Sequence, residues 1–353
     1  MDTAWQWHAQ KIWIGSQSLT AAKESEQKVA PTDGTDRSLL PTGFQYRLKF
    51  NQTSATISSV GATIRSFTVN GQSYLDETPS GEMVSRARGQ MLLPWANRIA
   101  DGRYTFRGSL HQLPINELEL NNSIHGLVRW QQFYAVSQSE DTLSLRHLLP
   151  PSPGWPFLLE TTISFQVFDA LLLITVTCEN RGVQPAPLVF GSHPYLKLPE
   201  TPIGDCLLFI PARKVWIVDD RKNPSEMISV NDTERTPSDL DFSTPRTLGS
   251  EYLDYAFTDL VHSQLATALM LPEGLKAPNF NHSYITDGST KVGVFFDHHF
   301  KAVQAYFDPS SHSNASIAIE PMTGPPNAFN IEDDDHTIDP SEVKEFKWGI
   351  FVQ

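Results

Sequence analysis

The chain has 353 residues, 40% apolar and 19% charged, with a net charge of −13. So acidic a chain is poorly matched to nucleic acid or an anionic membrane, since both reward basic surfaces. Its two cysteines, Cys178 and Cys206, form no CxxC pair and no disulfide framework, which fits a reducing, cytoplasmic compartment.

In chain order, residues 1–43 read as an N-terminal extension, linker-like or partly ordered. They are polar, scattered with Pro, Gly, Thr and Asp, and show no clear period. Their first stretch, MDTAWQWHAQKIWIG, lacks the basic start and apolar core of an ordinary signal peptide, though Trp5, Trp7 and Trp13 make it aromatic enough to dock. No run of about 18 apolar residues follows that would span a bilayer as a helix. Residues 44–353 carry a β signal and read as one domain. SFTVNGQSYL places Asn70-Gly71 between two strand-like runs, a strong hairpin signal, and NRIADGRYTFRG does the same with Asp101-Gly102. LETTISFQV alternates cleanly, with Leu159, Thr161, Ile163, Phe165 and Val167 on one face. LLLITVTCEN, KVGVFFDHHF and AVQAYFDP add further strands. DLVHSQLATALML, residues 259–271, is the best helical candidate. Many short strands separated by turn signals predict an all-β sandwich or barrel.

ASIAIEPMTGPPNAFN contains a single carboxylate, Glu320, at the end of an apolar run. Alternation sends Ile317 and Ile319 one way and Ala318 and Glu320 the other. Spacing alone favours a solvated glutamate near a strand end. Other clusters are PWANRIADGRY with Asn97 and Arg98, LNNSIHGLVRW with His125, VFGSHPYLKL with His193, and EYLDYAFTDL with Asp254. Taken singly, each has a dull explanation: a satisfied core histidine, or a surface charge. Trp95, Trp130, Trp155 and Phe329 could stack on a sugar ring, yet each reads individually as core or rim. His298-His299 and His336 read as surface residues, because neighbouring histidines on a strand face opposite ways.

Taken together, the five segments NRIADGRYTF, NNSIHG, GSHPYL, LDYAF and AIEPMTGPPNAFN resemble the aldose 1-epimerase (galactose mutarotase) family in order and approximate spacing, from about Tyr46 to the C-terminus. The resemblance implies a large antiparallel β-sandwich with a concave sugar-binding face. It places Glu320 where the family has its general base and His193 where it has its general acid. It implies sugar-binding roles for His125, Arg98 and Asp254, with Asn97 a weaker candidate. Ala96 stands where many relatives have proline and Gly324 where some have cysteine, which bears on substrate preference.

The chemistry suits those residue types. Interconverting anomers requires the C1 hydroxyl to lose a proton while the ring oxygen gains one, so one base and one acid are needed about C1. A carboxylate in a partly apolar wall can serve as base and a protonated imidazole as acid. No metal or redox cofactor is required, and no Gly-rich phosphate loop or HExxH spacing occurs. The expected partner is a small free aldohexose, bound by a monomer or homodimer. A hexose-6-phosphate or other acidic-sugar epimerase is the alternative. It would need extra cations near the site, for which Arg103, Arg107, Arg129 and Lys197 are available. A non-catalytic sugar-binding protein predicts that the acid or the base is missing. A glycoside hydrolase needs a second carboxylate, for which only Asp254 offers itself.

Overall fold

The computed structural model describes residues 40–353 except 233, 236–238, 262–279, 311–314 and 332. Nearly all of the N-terminal extension, and most of the segment 259–271 considered as a helix, lie outside the described residues. Within them the chain is strand and turn, and the helical pieces are single 3₁₀ turns such as Ile203–Asp205 and Ala328–Asn330.

Two large antiparallel sheets form a sandwich. The nine-stranded sheet runs, in spatial order, through Tyr134–Gln138, Thr142–Leu149, Leu159–Phe168, Leu171–Asn180, Val343–Val352, Lys291–Phe296, Asn281–Thr286, Leu207–Phe209 and Arg246–Thr247. Its centre shows why these residues form strands. Leu159, Thr161, Ile163, Phe165 and Val167 are all buried while the residues between them are half-buried, as alternation requires. The ten-residue partner Leu171–Asn180 pairs with that strand along its whole length. The inward faces of the two sheets share one core, in which Ile163 and Phe165 lie with Val303, Ile317 and Ile319.

The two Gly-containing turns behave differently. Thr63–Val69 pairs with Gln72–Ser73 across Asn70 and Gly71, whose φ values are 52° and 80°. Two left-handed central residues suit the twist of a tight hairpin. Asp101 and Gly102 are also left-handed, at 56° and 60°, but the hairpin expected there does not form. Arg98–Ala100 pairs with Asn122–Ile124, and Arg103–Phe106 with Ser109–Gln112. The reason is that a third segment takes the backbone of the turn: the Leu113 amide donates to Gly102 O at 2.7 Å and Gln112 Nε2 donates to Asp101 O at 2.9 Å. The local turn is as the dipeptide dictates, and its flanking strands find partners elsewhere.

The other large sheet carries Asp254 and Glu320. Its order is Pro224–Ser229, Ala212–Val218, Leu253–Leu260, Ala302–Phe307, Ile317–Met322, Gly191–Ser192 and Met91–Leu92, with Tyr195–Leu196 also paired to Ile317–Met322. Ala256 stands opposite Gln304, and Gln304 opposite Glu320; Asp254 stands opposite Tyr306. Alternation therefore sends Phe257, Val303, Ala305, Ile317 and Ile319 into the sandwich core, and Asp254, Gln304, Tyr306 and Glu320 to the other face. The strand Ile317–Met322 has neighbours on both sides and all six of its residues are buried. The solvated, strand-end position that spacing favours for Glu320 is thus corrected: its exposure is 2%.

Candidate active site

Above that face lies a cavity of about 320 Å³, and all six candidate residues line it: Asn97, Arg98, His125, His193, Asp254 and Glu320. They come from five places in the chain, and each is fixed by local backbone. His193 sits between the short strands Gly191–Ser192 and Tyr195–Leu196, both paired to the strand that carries Glu320. Its amide donates to Gln90 O and its carbonyl accepts from Gly89 N, at 3.2 and 2.9 Å. His125 follows the strand Asn122–Ile124 with φ of 64°, and its amide donates to Asn97 O at 3.0 Å. The next residue, Gly126, allows that turn to press on Leu93: a Cβ there would stand 2.0 Å from Leu93 O.

Two arrangements organise the floor. His193 Nε2 lies 3.2 Å from Glu320 Oε1, with the His193 ring stacked on Tyr195 and the His125 ring edge-on to it, centroids 5.0 and 5.2 Å apart. Beside this pair runs a hydrogen-bonded chain. Asn97 Nδ2 donates to Gln304 Oε1 at 3.2 Å, and Gln304 Nε2 donates to Asp254 Oδ1 at 2.7 Å. The other Asp254 oxygen accepts from the Tyr252 hydroxyl at 3.2 Å and lies 3.7 Å from Lys222 Nζ. Asn97 Oδ1 accepts from the Arg98 amide at 2.8 Å, so both ends of this side chain are already engaged within the protein. The Arg98 guanidinium is held by Glu117, Nε to Oε2 at 3.0 Å.

Burial sets the electrostatics. It pushes the Glu320 carboxyl well above its ordinary range; the charge of Asp254 adds to this and Arg98 opposes it. Burial, reinforced by Arg129, pushes His193 down to about 3. His125 is held well below its usual value by burial and by His193, Arg129 and Arg98. Glu320 Oε2, His193 Nδ1 and His125 Nδ1 are buried without a hydrogen-bond partner among the described residues. Buried polar atoms are ordinarily paired, so this set of orphans is what a site built for a polar ligand presents.

Several residues of the site went unpredicted. Gln304, the hub between Asn97 and Asp254, carries the same signal as Glu320: one polar residue in the apolar run AVQAYF. Glu117, Tyr306 and Arg86 also line the cavity and have no comparable signal. Of the cations considered for an acidic sugar, Arg129 lines the cavity, whereas Arg103, Arg107 and Lys197 are not among its lining residues. Of the four aromatic residues, only Trp130 lines it, 46% exposed. Trp95 and Trp155 are fully buried and pack with Phe329, at centroid distances of 5.8 and 6.3 Å, as part of the core.

The reading of His336 as a surface residue is corrected. It is 5% exposed and lies behind Gly324, where a Cβ would stand 2.6 Å from its Nε2. The imidazole thus fills space that a larger residue at 324 would need. His298 and His299 are exposed, as expected, but not as opposite faces of a strand. They lie in the turn after Lys291–Phe296 with ring centroids 4.0 Å apart, because Asp297 Oδ1 accepts from the His299 amide and contacts its Nδ1.

Comparison with known proteins agrees with the fold. Two curated relatives from Escherichia coli K12, the uncharacterized proteins YihR and YphB, are 30% and 25% identical over 277 and 262 residues. The matches cover 78% and 71% of this chain, and 82% and 84% of theirs. Among solved structures, a putative aldose 1-epimerase from E. coli K12 superposes with a TM-score of 0.72 at 19% identity, covering 88% of this chain and 99% of its own. The galactose 1-epimerase of Lactobacillus acidophilus gives 0.68 at 17%, covering 88% and 94%. At those identities the structures speak for the fold alone. The family model described as Aldose 1-epimerase matches residues 45–350, nearly all of the described chain, and the chain therefore belongs to the aldose 1-epimerase family.

Proposed function

We propose that this chain interconverts the α and β anomers of free aldohexoses by acid–base ring opening. The observation that carries the reading is the His193–Glu320 pair, 3.2 Å apart, at the floor of a cavity of about 320 Å³. That volume lies at the small end of ligand pockets, suited to a monosaccharide. Glu320 takes the proton of the C1 hydroxyl, and His193 delivers a proton to the ring oxygen as the C1–O5 bond opens. After rotation about C1–C2 the two groups exchange roles and the ring closes on the other carbonyl face. His125 donates to or accepts from the sugar near the ring oxygen. Asp254 and Arg98 hold ring hydroxyls, pre-oriented by Gln304 and Glu117. A hydrolase reading is less well supported, because Asp254, the other cavity carboxylate without an arginine partner, is already held by Gln304, Tyr252 and Lys222.

Polarimetry on freshly dissolved α-D-galactose and α-D-glucose tests the reading. Decay to the equilibrium rotation should be faster with the protein than in buffer, in proportion to its concentration. A rate equal to buffer for every free aldose tried, neutral or charged, would end it.

A further inference from the structure

A second cavity, of about 580 Å³, shares no lining residue with the first. Asp297, His298 and His299 stand in its wall, in the turn after Lys291–Phe296, and one donor atom from each lies within 4.8 Å of the others. Backbone ties this turn down. The Asp297 amide donates to Lys347 O at 2.9 Å, its Oδ2 accepts from the Lys347 amide at 2.6 Å, and its carbonyl accepts from the Phe300 amide at 3.2 Å. Asp297 is accordingly only 9% exposed. His299 is fixed by Asp297 Oδ1, 3.0 Å from its Nδ1, and by the ring of Phe346, edge-on with centroids 5.7 Å apart. The His298 ring lies against that of His299, 4.0 Å between centroids. Two exposed imidazoles and a carboxylate are thus gathered before any ligand arrives, which lowers the ordering cost of binding one.

We infer that Asp297, His298 and His299 form a binding site for a first-row divalent ion of the class that prefers imidazole: zinc, nickel or copper. The contact between Asp297 Oδ1 and His299 Nδ1 carries the geometry. Two ligands at right angles, each about 2.1 Å from an ion, stand about 3.0 Å apart, which is the separation of these two atoms. The ion replaces the hydrogen between them, and the neutral imidazole carries its proton on Nε2 instead. His298 supplies the third donor, and water fills the remaining positions. Two imidazoles with one carboxylate suit these metals, whereas magnesium and calcium favour all-oxygen sites. Neighbouring cations do not oppose the ion: Lys347 Nζ is paired with Glu345 at 2.6 Å and Lys301 Nζ with Asp335 at 3.8 Å. A separate observation points to the same place. Asn281, on the strand paired with Lys291–Phe296, is 3% exposed, and its Oδ1 is buried without a hydrogen-bond partner among the described residues. It lines a hollow that His298 also lines. Buried polar atoms are ordinarily paired, and water held by an ion at His298 brings donors to that hollow. The competing explanation is a bare histidine pair beside an acidic rim of Asp335, Glu342 and Glu345, which would attract oxygen-preferring cations just as readily. The inference is independent of the mutarotase reading, in which no metal takes part.

The test uses the full-length chain without an affinity tag, stripped with EDTA and dialysed clear of it. Calorimetric titration with ZnCl₂ or NiCl₂ should show one equivalent bound more tightly than any other. His298→Ala and His299→Ala should each weaken that equivalent at least roughly tenfold, since even losing an outer partner of a metal ligand has about that effect. Saturating zinc should raise the melting temperature of wild type and leave that of the double variant unchanged. A roughly hundredfold excess of MgCl₂ or CaCl₂ should not displace the ion. Both histidines are exposed, so the variants should fold, and their melting temperatures without metal check that they do. If they do not fold, competition by magnesium and calcium against wild type decides the matter. Binding of neither zinc nor nickel, binding undiminished in the double variant, or displacement by magnesium or calcium would each overturn the inference.

Discussion

His193 Nε2 and Glu320 Oε1 stand 3.2 Å apart with almost no access to water, and burial drives the two groups in opposite directions. The carboxyl is pushed up and the imidazole down to about 3, so burial disfavours a preformed carboxylate–imidazolium pair. The pair instead holds one proton between two oppositely perturbed groups. That resting state would suit the proposed anomer exchange, in which the same two groups act as base and acid in one half of the reaction and reverse in the other. The imidazolium is needed only while the carboxylate faces it and the sugar separates the charges.

This arrangement fixes the expected pH behaviour. In the proposed mechanism the active form is the singly protonated pair, so kcat should follow a bell whose two apparent values belong to the pair. Its acid limb should lie well below 6.5, because His193 gains a second proton only near 3. An acid limb centred near 6.5 would show His193 titrating as a solvated imidazole. Stability follows the same shift. A histidine with depressed folded pKa contributes stability that is complete above its ordinary value of about 6.5 and is lost as pH falls toward about 3. His282, pushed down to about 4 by burial, acts in the same sense. Thermal unfolding of His193→Asn should therefore decline less steeply over that range than wild type.

Gln304 should prove a positioning residue. It donates to Asp254 at 2.7 Å and accepts from Asn97 at 3.2 Å, so Gln304→Leu strands both partners in a buried setting. Leaving a buried polar group unpaired costs about 1–3 kcal/mol. The melting temperature should drop, and KM should rise several-fold as Asp254 loses its orientation. Gln304→Glu is the sharper variant, because it places a second carboxylate against Asp254 and should damage binding more than Leu does. A Gln304→Leu protein with wild-type KM would show that Asp254 needs no such support, or does not bind sugar.

Much of this site was legible in residue order, and the illegible parts have physical causes. Alternation in AIEP separates Glu320 from Ile317 and Ile319 correctly, because period two is a property of any strand. Whether the strand was central or at an edge depended on Tyr195–Leu196 and Ala302–Phe307, segments 122 and 15 residues before Ile317 at their starts, so spacing alone pointed to solvent. Asp101-Gly102 fixed its turn but not its pairing, because Leu113 competed for the same backbone. Arg129 could be named as a cation in reserve. That it lines the cavity, half-buried and with an unpartnered Nε, became apparent only with the cavity assembled. His336 looked solvent-facing among its acidic neighbours, yet the close approach of Gly324 buries it.

The decisive substitution is Glu320→Gln, because structural and catalytic roles predict opposite combinations of rate and stability. Burial raises the folded-state pKa of Glu320, so its favourable contribution exists below the ordinary carboxylate value of about 4.3 and is lost as pH rises. At pH 8 the wild type therefore carries a penalty that a neutral glutamine of the same shape does not. The melting temperature of Glu320→Gln at pH 8 should match or exceed wild type, and the difference should shrink toward pH 4. The rate should move the other way. Glutamine cannot take the C1 proton, so kcat should fall roughly a hundredfold or more, the usual scale for losing a general base. His193→Asn should lose rate on the same scale through loss of the acid. Because the two act as one proton-sharing unit, the double variant should be little slower than either single one. Calorimetry and polarimetry on the same preparations check all of this. A folded Glu320→Gln protein that turns over its best sugar at the wild-type rate would end the proton-transfer mechanism, whatever its melting temperature.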